Sequence, residues 1–119
     1  ISWTAYDAAA LEGARESGKL VLLAFANDSK ESEATLKALE DRTVAKLHEK
    51  IVFLKAVYTK DGEAEKFWGI SSAPALILID PTKEAGPKAV LEKSYGKKSA
   101  ASIKNLLVKN LKSLEKSGR

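Results

Sequence analysis

The sequence predicts an α/β domain: a central mixed β-sheet of about four strands flanked by helices, in the order α-β-α-β-α-β-β-α across residues 1–119. Three observations carry this. Apolar runs of strand length recur at "KLVLLAF" (19–25), "IVFLKAV" (51–57) and "SSAPALILID" (71–80). Between them, apolar residues recur at helical spacing with charges in the gaps. The chain then closes with a long segment carrying leucines on one face and lysines on the other.

Taken in order, Trp3, Tyr6, Ala10 and Ala14 fall at helical spacing, with Thr4 or Asp7 able to cap and Gly18 placed to stop the helix. After Lys19 the next run is continuously apolar, as expected of a strand buried on both faces. From Ser29, Leu36, Leu39, Val44 and Leu47 predict one helix, or two short ones separated near Asp41. Residues 51–57 are rich in β-branched side chains and predict a second buried strand. Asp61 is positioned to cap a short helix through Phe67, and a loop with Pro74 then leads into a third apolar strand. "PTKEAGPK" is turn material, and "AVLEKSY" (89–95) partly alternates, predicting a hairpin at a sheet edge. Ser99 opens the last helix, whose Ile103, Leu107, Leu111 and Leu114 form the packing stripe. Strands joined by helices imply right-handed crossovers, with helices on both faces of the sheet.

The length suits one domain with one core and no linker. No apolar run approaches the roughly 20 residues that span a bilayer. The formal charge is +4, from 20 Lys plus Arg against 16 Asp plus Glu. The excess lies late, at Lys97, Lys98, Lys104, Lys109, Lys112, Lys116 and Arg119, with no aromatic residue after Tyr95. That pattern predicts a solvated helix face and no nucleic-acid partner. With no cysteine, the chain has no disulfide, thiolate metal ligand or thiol nucleophile. The lone His48, followed by Glu49 and Lys50, predicts a surface histidine; no metal and no cofactor are expected. The start at Ile1 implies a chain either processed or cut from something longer.

Three marks carry a resemblance. The opening "W..Y..A...A...GKLVLLAF" from Trp3 to Phe25 is similar to the start of secreted bacterial thioredoxin-like domains. "SSAPALILIDP" resembles the loop in which the thioredoxin-like fold places a cis proline before its third strand, putting Pro74 at that position. Gly96 follows the last strand and precedes a terminal amphipathic helix. Together the marks cover nearly the whole chain. The resemblance implies a thioredoxin-like fold and, by way of its secreted members, a periplasmic or secreted setting.

In that family the chemistry sits where the central strand meets the next helix, in a Cys-x-x-Cys motif. Free backbone N–H groups and the helix dipole favour an anion there and lower a thiol pKa. The matching stretch is "NDSKESE". One alignment sets Ser29 and Ser32 at the cysteine positions; counting from Phe25 sets Lys30 and Glu33 there. The first keeps the span to Asp41 and Val44 closer to the family's and is preferred. Serine does not titrate near neutrality and forms no disulfide, and a serine nucleophile needs a base within reach. His48 lies sixteen residues beyond Ser32 and does not meet that need. The plain structural reading makes Ser29 an N-cap, with Ser32 and Glu33 in the first turn as in a capping box.

Three functions remain open. The first is a protein- or peptide-binding, chaperone-like module that engages an extended partner through Asp28, Ser29, Lys30, Ser32, Ala73, Pro74 and Trp68, the chain itself being a monomer. The second is a thiol-disulfide oxidoreductase whose cysteines are replaced in this chain by Ser29-x-x-Ser32. The third is a structural domain of a longer protein. Phe67, Trp68 and Trp3 are aromatic candidates near the groove, although large aromatics at helix ends are core more often than ligand platforms. The acidic residues Asp28, Glu31 and Glu33 suit a first helical turn without any partner.

Overall fold

The computed structural model describes residues 4–84 and 86–116. The expectations that fall on Ile1, Trp3 and Arg119 lie outside those residues. The chain runs β1 (Thr4–Ala5), α1 (Ala8–Ser17), β2 (Leu20–Ala26), α2 (Lys30–Leu39), α3 (Arg42–Ala45), a 3-10 turn (Lys46–Glu49), β3 (Ile51–Val57), α4 (Glu63–Trp68), β4 (Ala75–Ile79), a second 3-10 turn (Pro87–Ala89), β5 (Val90–Tyr95) and α5 (Ala100–Lys116). The strand order is β1-β3-β2-β4-β5. β2 pairs in parallel with β3 and antiparallel with β4, which in turn pairs antiparallel with β5.

The central strand β2 is buried along all seven residues, and its alternation feeds two cores. Val21, Leu23 and Phe25 join Leu54, Ile77, Ile79 and Trp68 on one face, where Tyr6, Ala10 and Leu11 pack as well. Leu20, Leu22 and Ala24 join Ile51, Phe53, Leu76, Leu78, Leu39, Val44, Ile103 and Leu107 on the other. Thus α1 and α4 cover one face and α2, α3 and α5 cover its opposite. The four long strands are those expected, and the two-residue β1 adds a fifth at the edge.

That edge strand corrects the first helix. Thr4 and Ala5 pair with Leu54 and Lys55, and the Tyr6 N–H donates to the Lys55 carbonyl at 3.0 Å. Tyr6 is therefore outside the helix, which starts at Ala8 with Asp7 as its cap, Oδ1 accepting from the Ala10 N–H at 2.7 Å. Gly18 ends it at φ 73°, a left-handed value that glycine adopts without strain. Asp41 separates α2 from α3 by accepting from both the N–H and the hydroxyl of Thr43.

The expected cap at Asp61 is also corrected. Gly62 holds the N-cap position with no side-chain bond, while Asp61 sits at φ 57°. The nearby acid that does bond the backbone is Glu65: buried, its Oε2 accepts from the Thr59 N–H at 2.8 Å and ties the start of the β3–α4 loop to the helix. A cap search from the sequence finds the first acid before the apolar residues, not one reaching back from within the helix. Strand β3 is buried only in its first half. Lys55 and Val57 face the α2 side of the sheet beyond the end of the helical cover, and Val57 is 81% exposed.

Helix α5 opens at Ser99, whose hydroxyl accepts from the Ser102 N–H, and lays Ile103 and Leu107 into the core. Lys104, Lys109, Lys112 and Lys116 are exposed. Lys109 and Asn110 both reach Glu92 on β5, at 2.9 and 3.0 Å. The hydrogen bond from Asn110, aided by Lys109, holds the Glu92 carboxyl below its ordinary value against the opposing effect of partial burial.

Two outcomes test this packing. Phe25→Ala removes a ring with no exposed surface from the central strand and should cost about 3–5 kcal/mol in urea unfolding; a loss below about 1 kcal/mol would mean the ring is not in the core. Because the folded pKa of Glu92 is depressed, its stabilising contribution is complete above the unfolded carboxylate value and is lost as pH falls through the folded one. NMR titration should show Asn110→Ala moving the Glu92 pKa upward; an unchanged titration would refute the assigned cause.

Candidate functional site

The register brings one end of four strands together. Phe25 stands opposite Ala75 and Ala56, and Ala75 stands opposite Tyr95. The exit of β2 into α2, the entry of β4 after Pro74, the exit of β3 at Tyr58 and the exit of β5 at Gly96 therefore share one pole. Ser29 follows the β2 exit by three residues and Pro74 immediately precedes β4, so the two lie at the same end of adjacent strands. The Ala73–Pro74 peptide bond is cis.

At the start of α2 the hydrogen bonds are internal. Ser29 caps the helix, its hydroxyl accepting from the Ser32 N–H at 3.1 Å. Ser32 is 0% exposed. Its hydroxyl donates to Asn27 Oδ1 at 2.7 Å and accepts from the Asn27 N–H at 3.1 Å. Asn27 Oδ1 also accepts from the Ser29 N–H at 3.0 Å. The capping-box partner of Ser29 is thus Asn27, on the preceding turn, rather than an acid within the helix. Asp28 and Lys30 are exposed and Ser29 is half-buried. Further along α2, buried Thr35 accepts from the Lys98 N–H at 3.2 Å and ties the helix to the approach of α5.

Of the residues expected to meet a partner, Asp28, Ser29, Lys30 and Ala73 have accessible surface at this pole, whereas three do not. Trp68 is 2% exposed and its indole N–H donates to the Tyr6 hydroxyl at 3.0 Å, which makes it a core residue under α1. Ser32 is enclosed, its hydroxyl bonded to Asn27. Pro74 is buried, and its carbonyl accepts from the Gly96 N–H at 2.9 Å. Burial of these side chains follows from their places at the inner end of a helix or strand, where the apolar layers close over them. Phe67, beside Trp68, is 49% exposed.

The loop ahead of Pro74 is held by two residues outside it that the sequence does not single out. The Tyr58 hydroxyl donates to the Ser71 carbonyl, and the Tyr95 hydroxyl meets both Gly69 and Ser71. Their one sequence signal is that each is a tyrosine at or just past a strand end, where an apolar ring and a polar tip both find a place. Ala73 has no hydrogen-bond partner among the described residues. Beside this loop, Ala26, Asn27, Asp28, Leu36, Val57 and Tyr58 contribute to a groove of about 810 Å³.

Among the described residues no three His, Cys, Asp or Glu side chains are grouped to hold a metal, and His48 is exposed on its 3-10 turn. No helix among the described residues is long and apolar enough to cross a membrane.

The fold is that of thioredoxins. The structure superposes with a thioredoxin from Thermus thermophilus at TM-score 0.70 and 20% identity, covering 96% of this chain and 86% of the other. It matches the Trxlp protein of Edwardsiella tarda EIB202 at TM-score 0.68 and 18% identity, over 89% and 98% of the two chains. A disulphide isomerase from Xylella fastidiosa Temecula1 matches at TM-score 0.69 and 18% identity, over 89% and 95%. No family model matches the sequence, and neither does any curated protein. Within this fold the chain has no cysteine, and so no thiol with which to carry out thiol–disulfide exchange.

Ser29 and Ser32 lie one helical turn apart, a separation that a disulfide can bridge. The double substitution Ser29→Cys and Ser32→Cys should therefore yield a reversible intramolecular disulfide, detected by mass and by redox titration. Failure of the thiols to pair under mild oxidation would count against this register.

Proposed function

We propose that this chain is a thioredoxin-fold binding module without thiol chemistry, engaging an extended segment of another protein beside the Ala73–Pro74 turn in a chaperone-like manner. One observation carries the reading. The β2–β4 ladder stops at Phe25 and Ala75, and just beyond it Ala73 keeps a backbone donor and acceptor without a partner among the described residues. An extended chain pairs with such groups through its own backbone, so affinity requires no particular side chain at the pairing positions. Asp28, Ser29 and Lys30 flank the place from the α2 side and offer polar contacts. On this reading the protein acts as a monomer, and the periplasmic or secreted setting rests on the likeness of its opening segment to secreted bacterial domains.

A second reading has one observation in its favour. Ser29 is half-buried and Ser32 fully buried, one turn apart at the start of the helix, where an oxidoreductase of this fold would carry an accessible and a shielded cysteine. The chain would then be an oxidoreductase scaffold with serines at both positions.

Titrating isotopically labelled protein with an unstructured peptide of about ten residues, rich in β-branched side chains, tests the first reading. Saturable amide shifts should appear at Asp28, Ser29, Lys30, Ser72 and Ala73. No shift at about 1 mM peptide, where even weak complexes of this kind are populated, or shifts confined to another face, would remove it.

A further inference from the structure

The loop between α4 and β4 is held by side chains from two strands that are not neighbours. Tyr58 follows β3 and Tyr95 ends β5, and β2 and β4 lie between those strands in the sheet. The single Tyr58 hydroxyl proton goes to the Ser71 carbonyl at 3.1 Å. The Tyr95 proton goes to the Gly69 carbonyl at 3.0 Å, which leaves its oxygen lone pairs to accept from the Ser71 N–H at 3.3 Å. Lys93 Nζ adds a second bond to the Gly69 carbonyl at 2.9 Å. Both backbone groups of Ser71 are thus taken by tyrosine hydroxyls, in a stretch with no ladder or helix to satisfy them.

The rings are not the core of the fold. Tyr95 is 36% exposed and Tyr58 is half-buried, so their hydroxyl bonds add little to global stability. What they fix is local. Ser71 is two residues from Ala73, and a loop pinned at Ser71 on one side and by the Pro74 carbonyl bond to Gly96 on the other leaves Ala73 little freedom of direction. A backbone donor and acceptor held in place bind an extended chain without the cost of ordering the loop first.

We infer that Tyr58 and Tyr95 are positioning residues, whose hydroxyls clamp the backbone carbonyl and N–H of Ser71 so that Ala73 presents its N–H and carbonyl to an extended partner chain. This rests on the peptide-binding reading above. The hydroxyls act through the loop and make no contact with the partner themselves.

The test uses Tyr58→Phe, Tyr95→Phe and the double variant, each retaining its ring. A fluorescently labelled form of the same unstructured peptide reports affinity by anisotropy, thermal unfolding reports stability, and hydrogen exchange reports the Ser71 amide. Each single variant should weaken binding by roughly three- to tenfold, the worth of one hydrogen bond, with Tm changed by less than about 4 °C. Ser71 exchange should accelerate in Tyr95→Phe, which loses the acceptor for that N–H, and stay near the wild-type rate in Tyr58→Phe, which loses only the donor to the carbonyl. If the wild type binds and the double variant binds equally well, the clamp is overturned while the binding reading stands. A larger drop in Tm, with affinity lost only in proportion to unfolded protein, assigns the tyrosines to stability and also overturns the clamp. If the wild type takes no peptide, the binding reading itself falls and the clamp falls with it.

Discussion

The structure depends on one strand being buried along its whole length. Leu20–Ala26 has no solvent face, so each of its seven residues must meet an apolar layer, and adjacent residues must meet opposite layers. A register slip of one residue would exchange the two sets of side chains between differently shaped cores. That requirement fixes β3 on one side and β4 on the other. It also calls for helices on both faces: α1 and α4 over Val21, Leu23 and Phe25, and α2, α3 and α5 over Leu20, Leu22 and Ala24. The parallel neighbour β3 can be reached only by a crossover, which α2 and α3 supply, whereas the antiparallel pair β4 and β5 needs no helix between its strands.

The candidate site is a consequence of this arrangement. Because β2 and β3 are parallel and β4 is reversed, the exits of the first two and the entry of the third meet at one pole. The start of a helix at such a pole would favour a thiolate, through its free N–H groups and its dipole. Here oxygen meets one of those N–H groups, that of Ser32, through the Ser29 hydroxyl, and Asn27 takes the N–H of the cap residue Ser29 while sharing two bonds with Ser32. Serine and asparagine at these places close a hydrogen-bonded turn and leave no group that titrates near neutrality. At the same pole Ala73 keeps a backbone donor and acceptor without a partner among the described residues.

The two cores differ in how they end. On the α1 face the layer runs through Trp68 and Ile70, and the Trp68 indole and the Tyr6 hydroxyl satisfy each other within it. On the α2 face the cover ends before β3 does, and Lys55 and Val57 emerge beside Leu36 to form the groove next to Asp28. Val57, 81% exposed, therefore stands at the same pole as Ala73.

Much of this was legible in the sequence, for a physical reason. Burial on one or two faces writes itself as periodicity, so the seven-residue apolar run of β2, the packing stripe of α5, the hairpin at β5 and the caps at Asp7, Ser29 and Ser99 follow from side-chain spacing and local hydrogen bonding alone. The absence of sulfur chemistry was fixed by composition. Other features had no local signature. Two residues at Thr4–Ala5 form a strand only because the edge of β3 stands beside them, against a helical spacing that includes Tyr6. Glu65 serves a turn six residues behind it, and Trp68 is enclosed by α1 from a distant part of the chain. Tyr58 and Tyr95 meet at Ser71 although 37 residues separate them in sequence, since the register of four strands carries both to one loop. Periodicity records which face of an element is buried; which distant groups then meet at its end is settled only when the strands pair.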